Sequence, residues 1–261
     1  MSQRGYDPDN LTRRDPALIA RLLPYLERWN ARYFRLVAEG TEHLPRGPAI
    51  LVANHNGGIM GPDLFCTLAV LWRALGPEHP LHALAHDFAM RQLRPLGWLL
   101  QKLGAVAASP ANAARVLEQG GTVLVYPGGD LDAYRHFARR HEVVIHPRAG
   151  YVRLAQAFDV PIVPIVAQGA HSSAIIFHEG RWLAERLRMP RWARLERFPL
   201  ALALPWGLAP GPWLPYLPLP FPIRLRVLPP ERIAPDEPAS AASRHIEARM
   251  QAALDELRHA A

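Results

Sequence analysis

Short apolar runs alternate with amphipathic stripes over the first two thirds of the chain. Apolar runs of five or six residues, bounded by glycine, proline or polar residues, predict buried strands. They are Ala49–Ala53, Leu81–Ala85, Gly104–Ala108, Thr122–Tyr126 and Pro161–Val166. Between them, apolar residues with helical spacing predict helices at Pro62–Ala74, Phe88–Leu103, Ala111–Gln119 and Gly150–Phe158, the second of them broken near Pro95. This alternation favours an α/β, single-domain layered fold with a mostly parallel central sheet flanked by helices.

Helical patterns also occupy the two ends of the chain. Asp15–Val37 has an apolar face that includes Trp29, and Pro24 is expected to kink or split this helix. A lid over the core and a helix lying in a membrane interface both fit the pattern. Ala239–Ala260 predicts a terminal helix. The predicted segments are an amphipathic N-terminal helical segment, an α/β domain and a C-terminal helix, at residues 1–38, 39–235 and 236–261.

The pattern changes after residue 166. Arg181–Arg197 holds six arginines and two glutamates, interleaved with tryptophan and leucine. It predicts a basic amphipathic helix, broken at Pro190 and suited to an anionic membrane surface. The alternative is a solvated helix whose tryptophans pack inward. Phe198–Ile223 has no charged residue, but its eight prolines exclude a spanning helix. Late strands are expected at Pro199–Leu204 and Ile223–Leu228.

Composition points to a basic surface. The 261 residues carry a net charge of +7, seven tryptophans and a single lysine among 30 basic residues. Such a surface suits anionic lipid or nucleic acid, unless the arginines only solvate it. Because no nucleic-acid-binding motif is present, lipid is favoured. The single cysteine, Cys66, excludes an internal disulfide and indicates a reducing compartment. The first ten residues lack the apolar core of a signal peptide.

His55 is the strongest candidate for chemistry among the twelve histidines. It follows an apolar strand and precedes Gly57 and Gly58, where a ligand can approach the backbone closely. A neutral imidazole there can take a proton from a hydroxyl while its other nitrogen donates to a carboxylate. Asp63, at the start of a predicted helix, is the next carboxylate along the chain. The alternative carboxylates are Asp87, Asp130 and Glu142.

A second candidate is the Pro-Gly-Gly turn that follows the strand Thr122–Tyr126. Its backbone N–H groups can stabilise an oxyanion or hold a polar head group, although such a turn is ordinary by itself. The predicted catalytic residues are His55 and Asp63. The predicted oxyanion or acceptor-binding residues are Asn54, Gly57, Gly58, Gly128, Gly129, Asp130 and Arg135. No metal ligands are predicted.

Four stretches together resemble a known family. NHNGGIMGPD, LGWLLQKLGAV, VLVYPGGDLDAYR and VPIVPIV resemble, in order and spacing, the four blocks of the lysophospholipid/glycerolipid (1-acylglycerol-3-phosphate) acyltransferase superfamily. They are most similar to its bacterial branch that resembles mono- and diacylglycerol acyltransferases. The resemblance spans about residues 36–230 and includes LPWGL and YLPLP. It implies acyl transfer from acyl-CoA or acyl carrier protein to a lipid hydroxyl, with His55 as base and no other cofactor.

Departures from the family pattern concern the acceptor. Family members usually have an acidic residue five positions after the histidine. Here that position is Met60, and the acidic residue, Asp63, comes eight positions after His55. The third block, usually Phe-Pro-Glu-Gly-Thr-Arg, reads YPGGDL here and so lacks the glutamate and the arginine. The second block lacks the arginine with which it usually ends. In members with phosphate acceptors those charged residues are thought to hold the phosphate, a task that suits arginine. Their absence predicts a neutral acceptor such as mono- or diacylglycerol or a long-chain alcohol. The alternative acceptor is lysophosphatidic acid or another lysophospholipid, because Arg135 and Arg148 could bind its phosphate from new positions.

Two other functions compete with acyl transfer. A peripheral lipid-binding accessory protein with a degenerate site fits the replacement of familiar acids by Met60 and Gly128. A serine hydrolase is disfavoured because no Gly-x-Ser-x-Gly motif is present. The expected partners are an acyl thioester donor, a lipid acceptor and a membrane surface, with no nucleic acid. The expected location is the cytoplasm, peripheral on the inner face of the membrane.

Overall fold

The computed structural model describes residues 6–56, 58, 61–86, 88–92, 94–145, 147–193, 195–211 and 216–259. Ten strands form two sheets within these residues. They are β1 (Val37–Glu39), β2 (Ala49–Ala53), β3 (Leu81–Ala85), β4 (Ala105–Ala107), β5 (Thr122–Val125), β6 (Ile162–Gln168), β7 (Ile175–His178), β8 (Leu200–Ala203), β9 (Gly207–Pro210) and β10 (Arg224–Val227).

The central sheet has seven strands in the order β1-β10-β6-β2-β5-β3-β4. The five strands from β6 to β4 are mutually parallel, while β10 runs antiparallel to β6 and carries β1 parallel to itself. In the middle, Leu51 of β2 lies opposite Leu124 on one side and Val163 on the other. The predicted mostly parallel central sheet is confirmed, and all five of its predicted strands are present.

Helices cover both faces of this sheet. The helices of the described residues are α1 (Pro16–Tyr33), α2 (Pro62–Leu75), α3 (Arg94–Lys102), α4 (Pro110–Glu118), α5 (Gly129–Ala133), α6 (Gly150–Phe158), α7 (Arg181–Arg186), α8 (Met189–Trp192) and α9 (Ala239–His259). Short 3₁₀ turns at Leu11–Arg13, Thr41–His43, Phe137–Arg139 and Ala170–Ser173 and a π-helix at Phe88–Gln92 complete the elements. The helix expected from Phe88 to Leu103, with a break near Pro95, forms instead as a π-helix followed by α3, and α3 runs through Pro95 without a break.

The core lies on both sides of β2 because successive side chains of a strand point to opposite faces. Ile50 and Val52 pack in a cluster with residues of α4, α6 and α9. Leu51 packs on the other side, in a cluster with residues of α1 and α2. The predicted layered α/β fold is confirmed. The boundary expected between residues 38 and 39 falls inside β1, and the division into three segments stays a prediction.

α1 continues through Pro24 as one helix of 18 residues. The side chain of Asp15 caps its first turn by accepting from the Leu18 N–H, at 2.9 Å. The helix ends at Tyr33, earlier than the pattern indicated, because the chain turns at Arg35 (φ +46°) to enter β1. No helix among the described residues is long and apolar enough to cross a membrane.

A second, three-stranded antiparallel sheet follows β6, in the order β7-β8-β9. The helices α7 and α8 connect β7 to β8. One basic helix was expected there, broken at Pro190; the chain instead breaks before Pro190, with Arg188 at φ +54°. Of this sheet the sequence predicted β8 alone.

Candidate functional site

The carboxyl ends of β2, β5 and β6 lie side by side at one edge of the central sheet, where sites form in parallel α/β sheets. His55 comes two residues after the end of β2, and Gly128 three residues after β5. Gly169 follows β6 directly and starts a 3₁₀ turn. The neighbouring strands therefore bring loops together that are far apart in the sequence.

His55 and Asp63 form a hydrogen-bonded pair. His55 Nδ1 lies 2.9 Å from Asp63 Oδ2. The Asp63 side chain is fully buried, whereas 23% of the His55 side chain is exposed. The backbone N–H of Asn56 donates to the same carboxylate oxygen, at 3.2 Å. Because a carboxylate only accepts, Nδ1 is the donor, and Nε2 keeps the lone pair that a general base needs.

Two features of α2 bring Asp63 to this position despite the eight-residue spacing. Pro62 and Asp63 are the first two residues of the helix, where proline fits and the helix dipole favours a carboxylate. Gly61 allows the chain to close on itself, since a Cβ there would lie 2.5 Å from Asp63 Oδ1 and 2.7 Å from the Asn56 carbonyl oxygen. A side chain at Gly61 is therefore incompatible with this packing.

Tyr126 and Cys66 enclose the pair with uncharged groups. The Tyr126 ring centroid lies 4.9 Å from that of His55, at an interplanar angle of 47°. Burial, with the Asp63 charge as a further cause, raises the pKa of Tyr126 well above its usual range. Burial, again assisted by Asp63, raises the pKa of the Cys66 thiol, so the thiol stays protonated. Among the described residues no cluster of histidine, cysteine and acidic side chains is arranged to hold a metal.

Asp132, on α5, anchors the loop that carries His55. Its Oδ2 accepts the backbone N–H of His55 at 2.5 Å, and its Oδ1 accepts that of Val144 at 3.2 Å. Oδ1 also pairs with Arg135, and both side chains are at most 1% exposed. Arg135 in turn donates to Asn56 Oδ1, at 2.8 Å. A buried ion pair thus holds two successive residues, His55 and Asn56, of the candidate catalytic loop.

His171 completes this buried network from the turn after β6. Its Nε2 lies 2.9 Å from the Arg135 carbonyl oxygen, to which it donates. Burial, reinforced by the Arg135 charge, lowers the pKa of His171 to about 3, so this imidazole stays neutral. Burial also lowers the pKa of Arg135 to about 10, which leaves it charged at neutral pH. All three strand-end loops are therefore bonded together beneath His55.

Two residues expected to contact the acceptor, Asn54 and Arg135, form hydrogen bonds within the protein. Asn54 is buried and forms two hydrogen bonds to the backbone of Ala167, which tie the end of β2 to β6. Arg135 is buried, and its guanidinium donates to Asp132, Asn56 and the Arg139 carbonyl. Their predicted contact with an acceptor stays a prediction.

The Pro-Gly-Gly turn lies at the expected edge, and several of its polar groups are hydrogen-bonded within the protein. The Gly129 N–H donates to the Tyr126 carbonyl at 3.1 Å, and a Cβ on Gly128 would collide with Asp132 and the Val144 carbonyl. Asp130 is buried and accepts the Glu196 N–H at 2.6 Å. The oxyanion roles of Gly128 and Gly129 stay predictions.

Gly58 stays an oxyanion candidate, while Gly57 lies outside the described residues. Gly58 adopts φ +70°, and a Cβ there would lie 2.7 Å from the hydroxyl of Tyr216. Glycine is therefore required at this position both for its backbone angle and for the close approach of the tyrosine.

Sequence reasoning missed Asp132, Tyr126, Asn56 and His171. Asp132 lies inside the block VLVYPGGDLDAYR, but the prediction named Asp130, the first acidic residue after the two glycines. An acid and an arginine three residues apart, at Asp132 and Arg135, are a recognisable helical pair. Nothing in the local sequence marks His171, because its partner is a carbonyl 36 residues away.

Comparison with known proteins gives consistent matches. The model of the acyltransferase family matches residues 35–168. The uncharacterized protein Rv0502 of Mycobacterium tuberculosis is 30% identical over 213 residues, 80% of this chain and 55% of that protein. Diacylglycerol O-acyltransferase 2 of Homo sapiens is 26% identical over 165 residues, 59% of this chain and 42% of that protein.

A solved structure shares the fold. The crystal structure of the 1-acyl-sn-glycerophosphate acyltransferase PlsC from Thermotoga maritima aligns with a TM-score of 0.57 and 16% identity, over 91% of this chain and 81% of that one. The chain spans about half the length of the curated relatives that it matches. His55, Asp63, Asp132 and Arg135 all lie within the range that the family model matches.

Proposed function

The chain belongs to the acyltransferase family, and from this we propose that it transfers a fatty acyl group from a thioester donor to a lipid hydroxyl. The observation that carries the proposal is the 2.9 Å contact between His55 Nδ1 and the buried Asp63 carboxylate. This contact sets the tautomer of a partly exposed imidazole at the loop edge of the sheet. The donor is acyl-CoA or acyl carrier protein, and no further cofactor is proposed.

The proposed mechanism needs one base. His55 Nε2 takes the proton of the acceptor hydroxyl as its oxygen attacks the thioester carbonyl. Asp63 stabilises the imidazolium that forms, and backbone N–H groups near Gly58 stabilise the oxyanion. The tetrahedral intermediate then expels the thiolate, which takes the proton from His55. The products are an ester and a free thiol.

The test of the base is His55→Ala. Loss of a general base typically lowers the rate by about 10²–10⁴-fold, and we expect a fall of that order in thiol release and in ester formation. His259→Gln is the matched control, because His259 is exposed near the end of α9 and far along the chain from the loop. Near-full activity of a folded His55→Ala variant would remove His55 from the mechanism.

We propose further that the acceptor is neutral: mono- or diacylglycerol or a long-chain alcohol. The two arginines that could hold a phosphate have other partners. Arg135 is buried against Asp132 and Asn56. Arg148 lies 3.6 Å from both Asp130 and Glu196. Both guanidinium groups therefore lie beside carboxylates of the protein, which supports an acceptor without a phosphate.

A competition assay decides the acceptor. Monoacylglycerol, diacylglycerol and lysophosphatidic acid are offered together, and the radiolabelled products are separated. We expect the neutral acceptors to be preferred. A preference for lysophosphatidic acid would favour the phosphate-acceptor alternative, and Arg148→Gln would then identify the phosphate-binding side chain, since 41% of the Arg148 side chain is exposed.

A further proposal concerns the location of the protein in the cell. We place the protein in the cytoplasm, peripheral on the inner face of a membrane that supplies the acceptor. The non-enzymatic alternative, a lipid-binding accessory protein, makes a different prediction in the same assay: lipid is bound and no thiol is released with any acceptor.

A further inference from the structure

The second sheet has two apolar faces, and within the part of the chain that the structure describes only one of them is buried. Ile176, Ala203 and Ala209 are at most 4% exposed, and Ile176 packs with Ala133 and Tyr134 beside the catalytic loop. On the other face, Leu202 pairs with Leu208, and the exposed fractions reach 37% at Leu200 and 62% at Leu208. An antiparallel sheet of a soluble protein usually presents polar residues on its outer face.

The outer face continues past the strands as an uncharged surface. Leu204 and Trp206, in the turn between β8 and β9, are 44% and 53% exposed. The returning chain adds Leu217 and Phe221, each 43% exposed. The whole stretch 198–223 carries no charge. We define the docking face as the exposed side of β8 and β9 with their turn.

Positive charge lies at the end of the sheet opposite this turn. The connection α7–α8 presents exposed Arg186, Arg188 and Arg191, and within the described residues none of them has an acidic partner. Trp182 and Trp192 are exposed on the same connection, at 63% and 53%. An apolar face with a rim of arginine and tryptophan matches the layering of a bilayer, whose interior is apolar and whose head groups can be anionic.

We propose that the docking face inserts into the apolar layer of an anionic lipid bilayer, with the arginines of α7–α8 at the phosphate groups. The opposite face of the same sheet lines a narrow cleft together with Gly58, Tyr134 and Tyr216. A single layer of β-structure therefore separates the bilayer from the loop of His55. The supply of an acceptor by this bilayer rests on the proposed acyltransferase function, whereas membrane binding does not.

The test is partitioning onto phosphatidylcholine vesicles with and without phosphatidylglycerol, measured by sedimentation without substrates. In the double variant Leu204→Asp/Leu208→Asp we expect binding to both vesicles to fall at least about tenfold, because each side chain loses its apolar burial. In Arg186→Gln/Arg188→Gln/Arg191→Gln we expect about a fivefold loss per arginine, confined to vesicles that contain phosphatidylglycerol.

The matched control is Tyr25→Asp/Trp29→Asp on α1, another pair of exposed aromatic residues among basic ones. We expect its partitioning to change by less than about twofold, since it lies outside the docking face. If this variant loses binding and the sheet variant keeps it, α1 is the membrane surface and the proposal is wrong. The proposal is also wrong if the sheet variant changes the oligomeric state in solution and leaves vesicle binding intact.

A spin label measures insertion independently of affinity. Cys66 is the only cysteine, so Leu208→Cys in a Cys66→Ala background places one nitroxide on the docking face, and Glu256→Cys on α9 is the control. With vesicles, we expect the label at 208 to become accessible to oxygen and shielded from aqueous nickel, and the label at 256 to stay accessible to nickel. Unchanged nickel access at 208 overturns the proposal. Binding without acyl transfer by the wild-type protein would instead overturn the proposed function alone.

Discussion

In the proposed mechanism, Asp63 determines which nitrogen of His55 is available as a base. Its Oδ2 accepts from His55 Nδ1 and from the Asn56 N–H, so the carboxylate fixes both the ring and the adjoining backbone. Asp63→Asn keeps the shape but offers an amide that can donate to Nδ1, which moves the proton to Nε2. We expect a loss of roughly 10²-fold or more in kcat, with a smaller change in KM.

The measurement is steady-state acyl transfer across the pH range, because a tautomer change should lower the rate at every pH. Asp159→Asn is the matched control, since Asp159 is 92% exposed and far from His55 along the chain. Wild-type kcat in a folded Asp63→Asn variant would show that the 2.9 Å contact does not serve catalysis.

The buried pair of Asp132 and Arg135 supports the loop of His55 and Asn56, by a bond to the His55 N–H and a bond to the Asn56 side chain. Arg135→Met leaves the Asp132 carboxylate buried without its counter-ion, and we expect the free energy of unfolding to fall by about 3–5 kcal/mol. Asp132→Asn should cost a similar amount, and the double variant less than the sum of the two. Urea unfolding of the four proteins measures the coupling.

The control is Arg181→Met, which breaks the exposed pair with Glu185 and should change stability by at most about 1 kcal/mol. Additive effects at Asp132 and Arg135 would contradict a coupled pair. A positioning role predicts more than instability: below the unfolding transition, a folded Asp132→Asn variant should lose kcat while KM changes little.

At the scale of elements, Gly61 connects the catalytic loop to α2. A Cβ there would lie 3.1 Å from His55 Cε1 and closer still to the Asp63 carboxylate. Gly61→Ala must therefore push the two groups apart, and we expect kcat to fall by about tenfold or more. Gly47→Ala is the matched control because a Cβ at Gly47 meets nothing within 4 Å. Equal activity of the two variants would contradict the tight turn.

The central strands were predictable because each is a continuous apolar run, as parallel strands buried on both faces require. β1 was not, since its three residues are exposed and follow directly on a helical pattern. β7 and β9 were missed for another reason. The apolar residues of β9 lie among prolines, glycines and tryptophans, and those of β7 form only a short run between Ser173 and His178. Pairing with β8 rather than local pattern makes both of them strands.

The candidate site also has parts that were predictable from the sequence and parts that were not. The His55 loop was predictable from a histidine between an apolar strand and glycines, and from the resemblance of four blocks to one family. The approach of Asp63 to His55 depends on the packing of Gly61 against Asn56, which spacing alone does not give. The contacts from Asp132, Arg135 and His171 depend on strand order in the sheet, so they became visible only once β5 and β6 were placed beside β2.

Over the whole molecule, two buried neutral histidines couple stability to pH. Burial, with a nearby arginine as the next cause, lowers the pKa of His171 to about 3 and that of His82 to about 4. In the unfolded chain both imidazoles take up a proton near their ordinary pKa of about 6.5. Below that pH the unfolded state binds more protons than the folded state, so the free energy of unfolding falls as the pH falls.

We therefore expect full stability above about pH 6.5 and a loss of about 2 kcal/mol per histidine on lowering the pH to about 5. In His171→Gln, whose amide can still donate to the Arg135 carbonyl, this pH dependence should be less steep, because one of the histidines that take up a proton on unfolding is gone. His259→Gln, on the exposed end of α9, should keep the wild-type dependence. Urea unfolding at a series of pH values compares the three proteins, and equal slopes in all of them would show that His171 is not held neutral beneath the catalytic loop.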